Sequence, residues 1–325
     1  MKKLKAAFIG CGGRSWVHIQ KLMAFEDVEI VGFMDLIKSR AEEKRDKAGQ
    51  GVVYDDYTKM LDSAKPDVLF VCVTPAEHGK IEYEAIERGI HMMIEKPMAI
   101  DMQLAEDICK KCADKKIYAA VAFQDRYLDL AEQCKEWMAG KQVGLVDGAW
   151  VGGIPGVPWW PHYATSAGQI VEQNIHIFDM LRNLFGEAES VYCAAAKGIV
   201  KQEDYDLHDY SSAVIRMKSG VIATLYTGCY RTNEAAGFPN GLTIHAADCD
   251  IRYYLRNHVV YDSAAKSITI MRRRDSEELM DRTFIDAVKS GDMSAVRSPY
   301  ADALKTLKLT LACNESISTG LPVVL

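Results

Sequence analysis

Two stretches carry side chains whose type and spacing suit proton chemistry. In "GIHMMIEKPMAID" an apolar run ends at Glu95-Lys96-Pro97. Proline fixes its own φ and biases the residue before it toward an extended conformation, so Lys96 is delivered at a strand end in a restricted direction. An ammonium there can hydrogen-bond an oxygen and stabilise negative charge developing on it. In "SAGQIVEQNIHIFDMLRNLFG", Glu172 lies four residues before His176 and Asp179 three after it. On a helix this spacing places the three on one face. A carboxylate beside an imidazole orients it and raises its basicity, as acid–base work near neutral pH requires. Taken alone, the residues equally allow a helix that merely faces a domain interface.

A third stretch, "AAFIGCGGRSWVHIQKLM", sets Gly10 and Gly12 on a turn between a strand and a helix. Gly10 permits the tight turn, and Gly12 lets backbone approach a pyrophosphate resting on the free N–H groups of the helix. The third position of the G-x-G-x-x-G pattern is Ser15, small enough for close helix–strand packing but a departure from glycine. Asp35 ends the second strand, 20 residues beyond Ser15. A carboxylate there accepts from both hydroxyls of an adenine ribose and repels a 2′-phosphate, which favours NAD. Lys38 and Arg40 follow closely and keep NADP open. The same logic places "VTPAEH", Thr74 to His78 and including Pro75, beneath the cofactor, in the loop after a parallel strand.

The elements that position these residues fall into two halves. Strands are expected at Leu4–Ile9, Glu29–Met34, Val68–Val73, His91–Ile94 and Tyr118–Ala122, with helical stretches between them. The runs are almost continuously apolar, as in a parallel sheet covered by helices on both faces, so residues 1–122 read as a doubly wound α/β Rossmann domain. Residues 123–325 read as an α+β domain with a largely antiparallel, open-faced sheet: a helix at Gln169–Leu184, strands between Ser190 and Met271, and closing helices at Ser276–Lys289 and Tyr300–Ser318. The loop Gly152–Pro161 and the residues after it bring Trp159, Trp160, His162 and Tyr163 just ahead of the histidine helix. Flat aromatic faces suit the C–H face of a sugar ring, and they serve as packing anchors almost as often.

Composition excludes several classes. A length of 325 residues calls for two domains and needs no staples to hold a core. A net charge of -6 argues against nucleic acid, and the Arg272-Arg273-Arg274 run reads as a solvated strand end. Nine cysteines, an odd number scattered through apolar segments, read as reduced thiols in a cytoplasmic protein. Cys109 and Cys112 form a CxxC with no second ligand pair, and His176 with Asp179 lacks one too, so no metal is expected. The N-terminal apolar run stops at Gly10, short of the roughly 7–15 residues of a signal peptide. No stretch approaches the roughly 20 apolar residues of a membrane span.

In the order glycine turn, Asp35, "VTPAEH", Glu95-Lys96-Pro97 and the histidine helix, the chain resembles the glucose–fructose oxidoreductase, inositol dehydrogenase and rhizopine-catabolism (Gfo/Idh/MocA) family over essentially its whole length. The lysine motif and the histidine helix at this separation are the specific part. The resemblance implies an NAD(P)-dependent oxidoreductase moving hydride to or from a hydroxyl carbon of a sugar, sugar derivative or cyclitol. It assigns Lys96, His176 and Glu172 to catalysis, with Glu172 standing where relatives commonly carry aspartate. Gly10, Gly12, Gly13, Arg14, Asp35, Thr74, Pro75, His78 and Glu95 are assigned to the cofactor. Gln124, Arg126, Trp159, Trp160, Tyr163 and Asp179 are expected to line the substrate pocket. Dimers or tetramers through the C-terminal sheet are implied as well. Two alternatives stay open: a glycosidase acting through transient sugar oxidation on tightly held NAD, and a non-catalytic NAD(H)-binding protein.

Overall fold

The computed structural model describes residues 3–232 and 237–325. The chain forms two compact units: one runs to Gln124 and takes in Asp275–Leu304, the other comprises Asp125–Arg274 and Lys305–Leu325.

In the first unit, strands β1 (Leu4–Ile9), β2 (Val28–Met34), β3 (Val52–Tyr54), β4 (Val68–Val71), β5 (His91–Ile94) and β6 (Ala119–Val121) alternate with helices α1 (Gly13–Met23), α2 (Lys38–Ala48), α3 (Tyr57–Ala64), α4 (Lys80–Glu87) and α5 (Met102–Asp114). All six strands run parallel in the order β3-β2-β1-β4-β5-β6. Every residue of β4, and of β1 apart from Lys5, is buried, which is why these runs read as unbroken apolar stretches. Asp56 and Asp101 cap α3 and α5 by accepting from Lys59 N–H and Leu104 N–H. The edge strand β3 escapes sequence reading because its apolar run, Val52-Val53-Tyr54, is only three residues long and half-buried or exposed. The order of strands reverses between β1 and β4. In doubly wound sheets that switch point, at the carboxyl ends of the strands, is where ligands bind.

A boundary at residue 122 with everything later in a second domain is not the observed division. The helix Ser276–Ser290 returns to the first unit and lies along α1. Met280, Phe284 and Ile285 are buried on its inner face, and Lys21–Asp275 and Asp27–Arg282 ion pairs flank the contact. Farther on, Val121 N–H donates to the Ser298 carbonyl at 3.0 Å, extending the edge at β6. No local pattern announces this return, since the partner elements are far apart in the chain.

In the second unit, α6 (Asp129–Met138) and β7 (Val143–Val151) precede three short helical segments: α7 (Tyr163–Ser166), α8 (Gln169–Glu172) and α9 (Ile175–Phe185). Strands β8 (Ala188–Ala196), β9 (Tyr210–Met217), β10 (Ile222–Gly228), β11 (Gly241–Ala246), β12 (Asp250–Tyr254), β13 (His258–Asp262) and β14 (Ser267–Met271) follow, and Val323–Val324 adds a last edge strand. The nine strands form one sheet in which β7 and β10 pair in parallel and every other neighbour is antiparallel. Burial alternates along β9, with Ala213, Ile215 and Met217 inward and Tyr210, Val214 and Arg216 outward. The inward face packs against Ile177, Phe178 and Leu181 of α9 and Leu130 and Cys134 of α6.

The helix expected over Gln169–Leu184 is two helices, broken at Gln173-Asn174. Asn174 is fully buried, and its amide Nδ2 donates to Thr227 Oγ1 and the Tyr226 carbonyl of β10. Its own N–H donates to the Gln169 carbonyl, five residues back instead of four. The side chain's pull toward the sheet and this shifted hydrogen bond reset the helix. Glu172 and His176 therefore do not share the face of one continuous helix.

Candidate active site

The glycine turn is built by exclusion. Gly10 has φ +84°, and a Cβ there would lie 2.2 Å from the carbonyl oxygen of Cys72, so no side chain fits between the ends of β1 and β4. At Gly12 and Gly13, by contrast, a Cβ would meet nothing within 4 Å. Gly12 is the N-cap of α1 and offers no side chain to its first N–H groups, leaving open space over a positive helix end. That arrangement fits a pyrophosphate. Ser15 is buried and its hydroxyl donates to the Gly12 carbonyl at 2.8 Å, so the departure from glycine ties the turn together. Asp35 accepts from Cys11 N–H at 2.7 Å and from Ile37 N–H at 2.8 Å, which aims the carboxylate and leaves lone pairs for ribose hydroxyls. Pro75–Glu77 is a single helical turn after β4. His78 is buried, with Nδ1 held 2.6 Å from Glu82 Oε1.

Behind the turn lies a buried charge chain that reaches the lysine motif. Glu95 Oε1 accepts from Arg14 Nε at 2.7 Å and faces His18 Nε2 at 3.2 Å, while Oε2 accepts from Lys96 N–H at 3.1 Å. Both carboxylate oxygens, expected at the cofactor, are thus engaged by protein donors. The other ring nitrogen of His18 is 2.9 Å from each carboxylate oxygen of Asp281 on the returning helix. Burial opposes charge on His18, but Asp281 and Glu95 outweigh it and push its pKa up to about 9. Burial likewise opposes ionisation of Glu95, and Arg14 and His18 reverse that, holding its carboxyl well below the usual range. Burial pushes Asp281 up although His18 pulls it down. The histidine is the proton's home, because two carboxylates share one imidazole. Lys96 follows directly, joined to Pro97 by a cis peptide bond. His18 and Asp281 went unnoticed in the sequence. The available signal was a titratable residue on the buried stripe of each helix, Ser15-His18-Ile19-Leu22 in α1 and Met280-Asp281-Phe284 in its partner.

In the second unit His176 is buried on α9, its ring tilted against Trp150 with centroids 5.8 Å apart. A carboxylate that the sequence reading did not name, Asp125, faces it with Oδ2 3.7 Å from Nδ1. Asp125 is only 2% exposed. Arg256 grips it at both oxygens, at 2.6 and 3.1 Å, and lays its guanidinium 5.5 Å over the Trp150 ring. Neither residue was singled out in the sequence, although Gln124 and Arg126 on either side of Asp125 were. Arg256 sits in the β12–β13 turn at φ +58°, a conformation that no residue pattern announced.

Several expected substrate contacts are put to other use. Arg126 and Asp179 are buried and joined by two hydrogen bonds of 2.7 and 2.6 Å, and Thr306 adds a third donor to Asp179. They neutralise each other and brace α9. Trp160 is 1% exposed, packs with Leu207 and Cys229, and donates its indole N–H to Glu172 Oε2 at 2.6 Å. It is an anchor, and it holds Glu172. Trp159 is half-buried against the same cluster, Gln124 is buried, and Tyr163 remains 49% exposed. Burial raises the Cys109 and Cys112 thiols, the second to about 12, leaving them in their unreactive form. Among the described residues, no cluster of three or more His, Cys, Asp or Glu is placed to hold a metal, and no helix is long and apolar enough to cross a membrane.

Comparison with known proteins agrees with this geometry. An oxidoreductase family model described as an NAD-binding Rossmann fold matches residues 4–123, and a Gfo/Idh/MocA C-terminal domain model matches residues 142–251. Myo-inositol 2-dehydrogenase of Thermotoga maritima is 21% identical, with 97% of this chain and 96% of that protein aligned. A glycosyl hydrolase family 109 protein of Akkermansia muciniphila is 30% identical over 32% of this chain and 23% of its own length. The solved structure of a levoglucosan dehydrogenase with NADH and levoglucosan superposes with a TM-score of 0.86 at 18% identity, covering 99% of both chains. From the glycine turn through the second unit's sheet, the chain belongs to the Gfo/Idh/MocA family of NAD-binding oxidoreductases.

Proposed function

We propose that this protein is an NAD-dependent dehydrogenase that oxidises or reduces a hydroxyl carbon of a sugar, sugar derivative or cyclitol. Bound NAD supplies the hydride acceptor. The α1 N-terminus holds its pyrophosphate, and Asp35 takes the ribose hydroxyls and disfavours a 2′-phosphate. Lys96 hydrogen-bonds the reacting oxygen and stabilises charge developing on it. His176 takes the hydroxyl proton, and Glu172, fixed by Trp160, binds a neighbouring hydroxyl. The observation that carries the reading is His176, a buried imidazole beside a carboxylate in a chain of this family.

The relatives named for inositol and levoglucosan support a polyol or sugar as substrate. The exposed face of the second unit's sheet carries Leu145, Tyr192, Val214 and Tyr226. Ile222 pairs with Leu145 in register, and Val214 with Tyr192. Exposed apolar side chains spread over this sheet face suit a second copy of the chain, so a dimer or tetramer is proposed. Nine free cysteines, most of them buried, fit the reducing cytoplasm.

The test follows NADH and NADPH absorbance with a panel of cyclitols, aldoses, keto-sugars and glycosides, for the wild type and His176→Ala. The expected result is NADH formation with at least one polyol or sugar, and turnover about 10²–10⁴-fold lower in the variant. Near-full activity in His176→Ala removes that residue from catalysis. Glycoside cleavage without net NADH, the behaviour that the glycosyl hydrolase relative suggests, overturns the dehydrogenase reading.

A further inference from the structure

The proposed base has a supporting group that the family resemblance did not indicate. Of the carboxylates near His176 in sequence, Glu172 accepts from the Trp160 indole at Oε2 and lies across the helix break, and Asp179 is bonded to Arg126 and Thr306. Arg182, on the same helix, is paired with Glu187. Asp125 faces the imidazole, with Oδ2 3.7 Å from Nδ1.

Resting on the dehydrogenase reading, we propose that Asp125 is the positioning residue of His176, and that Arg256 sets how much of its charge His176 feels. A carboxylate can only accept, so the ring nitrogen facing Asp125 carries the hydrogen and Nε2 is left as the basic atom. The distance of 3.7 Å is longer than a hydrogen bond, so the effect in the resting protein is chiefly orientation and charge. An opposite charge within 4–6 Å raises an imidazole pKa by roughly 1–3 units. Arg256, bidentate on the same carboxylate, cancels part of that field and holds the effect near the lower end. Trp150 contacts both groups, with the Arg256 guanidinium 5.5 Å over its ring and the His176 ring tilted against it at 5.8 Å. Two substitutions therefore act in opposite directions. Asp125→Asn lowers the basicity of His176, and Arg256→Gln raises it. A merely structural role for this cluster would not produce opposite signs.

The experiment is an NMR titration of histidine-labelled full-length protein, with the His176 signal assigned by its loss in His176→Gln. The expected result is a His176 pKa about one unit lower in Asp125→Asn and higher in Arg256→Gln, with the acid limb of kcat/KM moving the same way in each variant. A His176 pKa unchanged in both variants, or moved in the same direction by both, overturns the inference. Arg256→Gln keeps the test decisive where Asp125→Asn fails to fold, because it removes a bidentate counter-charge from Asp125 while leaving the carboxylate facing His176. The titration needs no substrate. A chain that shows the opposed shifts but no hydride transfer refutes the dehydrogenase reading and leaves the Asp125–His176 relationship standing.

Discussion

Replacing His18 with glutamine removes a buried cation that serves two buried carboxylates. The lift of the His18 pKa from 6.5 to about 9 corresponds to about 3 kcal/mol at 1.36 kcal/mol per pH unit. Loss of one partner from a buried ion pair costs 3–5 kcal/mol by direct comparison, so the two routes agree. In a unit of roughly 150 residues each kcal/mol shifts the melting temperature by about 2–4 °C. His18→Gln should therefore melt about 6–12 °C lower near pH 6. The sign of the pH dependence follows from the raised pKa. The stabilisation is complete below pH 6.5 and disappears as pH climbs through about 9. Thermal scans of both proteins from pH 6 to pH 10 should show the gap narrowing at the alkaline end. A gap of less than about 2 °C at pH 6, or one that stays constant to pH 10, would refute a charged histidine at this position.

Gly10→Ala must place a methyl group against the Cys72 carbonyl at a positive φ. NAD affinity measured by fluorescence titration should fall at least about tenfold, the equivalent of 1.4 kcal/mol and the low end of such backbone strain. Unchanged affinity would show that the β1–β4 junction yields easily. Trp160→Phe keeps the packing but strips the N–H from Glu172. Stability should drop by about 1–3 kcal/mol, the cost of removing a hydrogen bond to a charged, half-buried acceptor, and urea midpoints measure it. A variant as stable as the wild type would mean that Glu172 finds another donor or water.

What could be read in advance was whatever depends on local pattern. The apolar runs of β1, β4 and β5 are buried as their composition required, and Lys96 stands at the end of a strand because Pro97 follows it. Burial of a polar side chain, though, does not say what it pairs with. His18 meets Asp281, 263 positions away, and Asp125 meets Arg256, 131 positions away; no periodicity links either pair. The supposed continuous helix failed for a local reason that periodicity overlooks: Asn174 bonds more favourably to β10 than the helix bonds to itself. Trp160 and Asp179, expected to line the substrate pocket, spend polar atoms on the protein itself, bonding Glu172 and Arg126.

The returning helix has a consequence for how the protein is made. At about 5–20 residues per second, Asp281 leaves the ribosome tens of seconds after His18. For most of that interval, from Val121 onward, the nascent first half has all six of its strands, but the imidazole behind its glycine turn faces only Glu95 and lacks Asp281. The Rossmann unit is thus the first to begin synthesis, yet neither unit is complete until one of the last two segments of the chain, Asp275–Leu304 or Lys305–Leu325, has been made. The Rossmann unit's completion waits on a segment encoded after the whole of the other unit's sheet except the last edge strand.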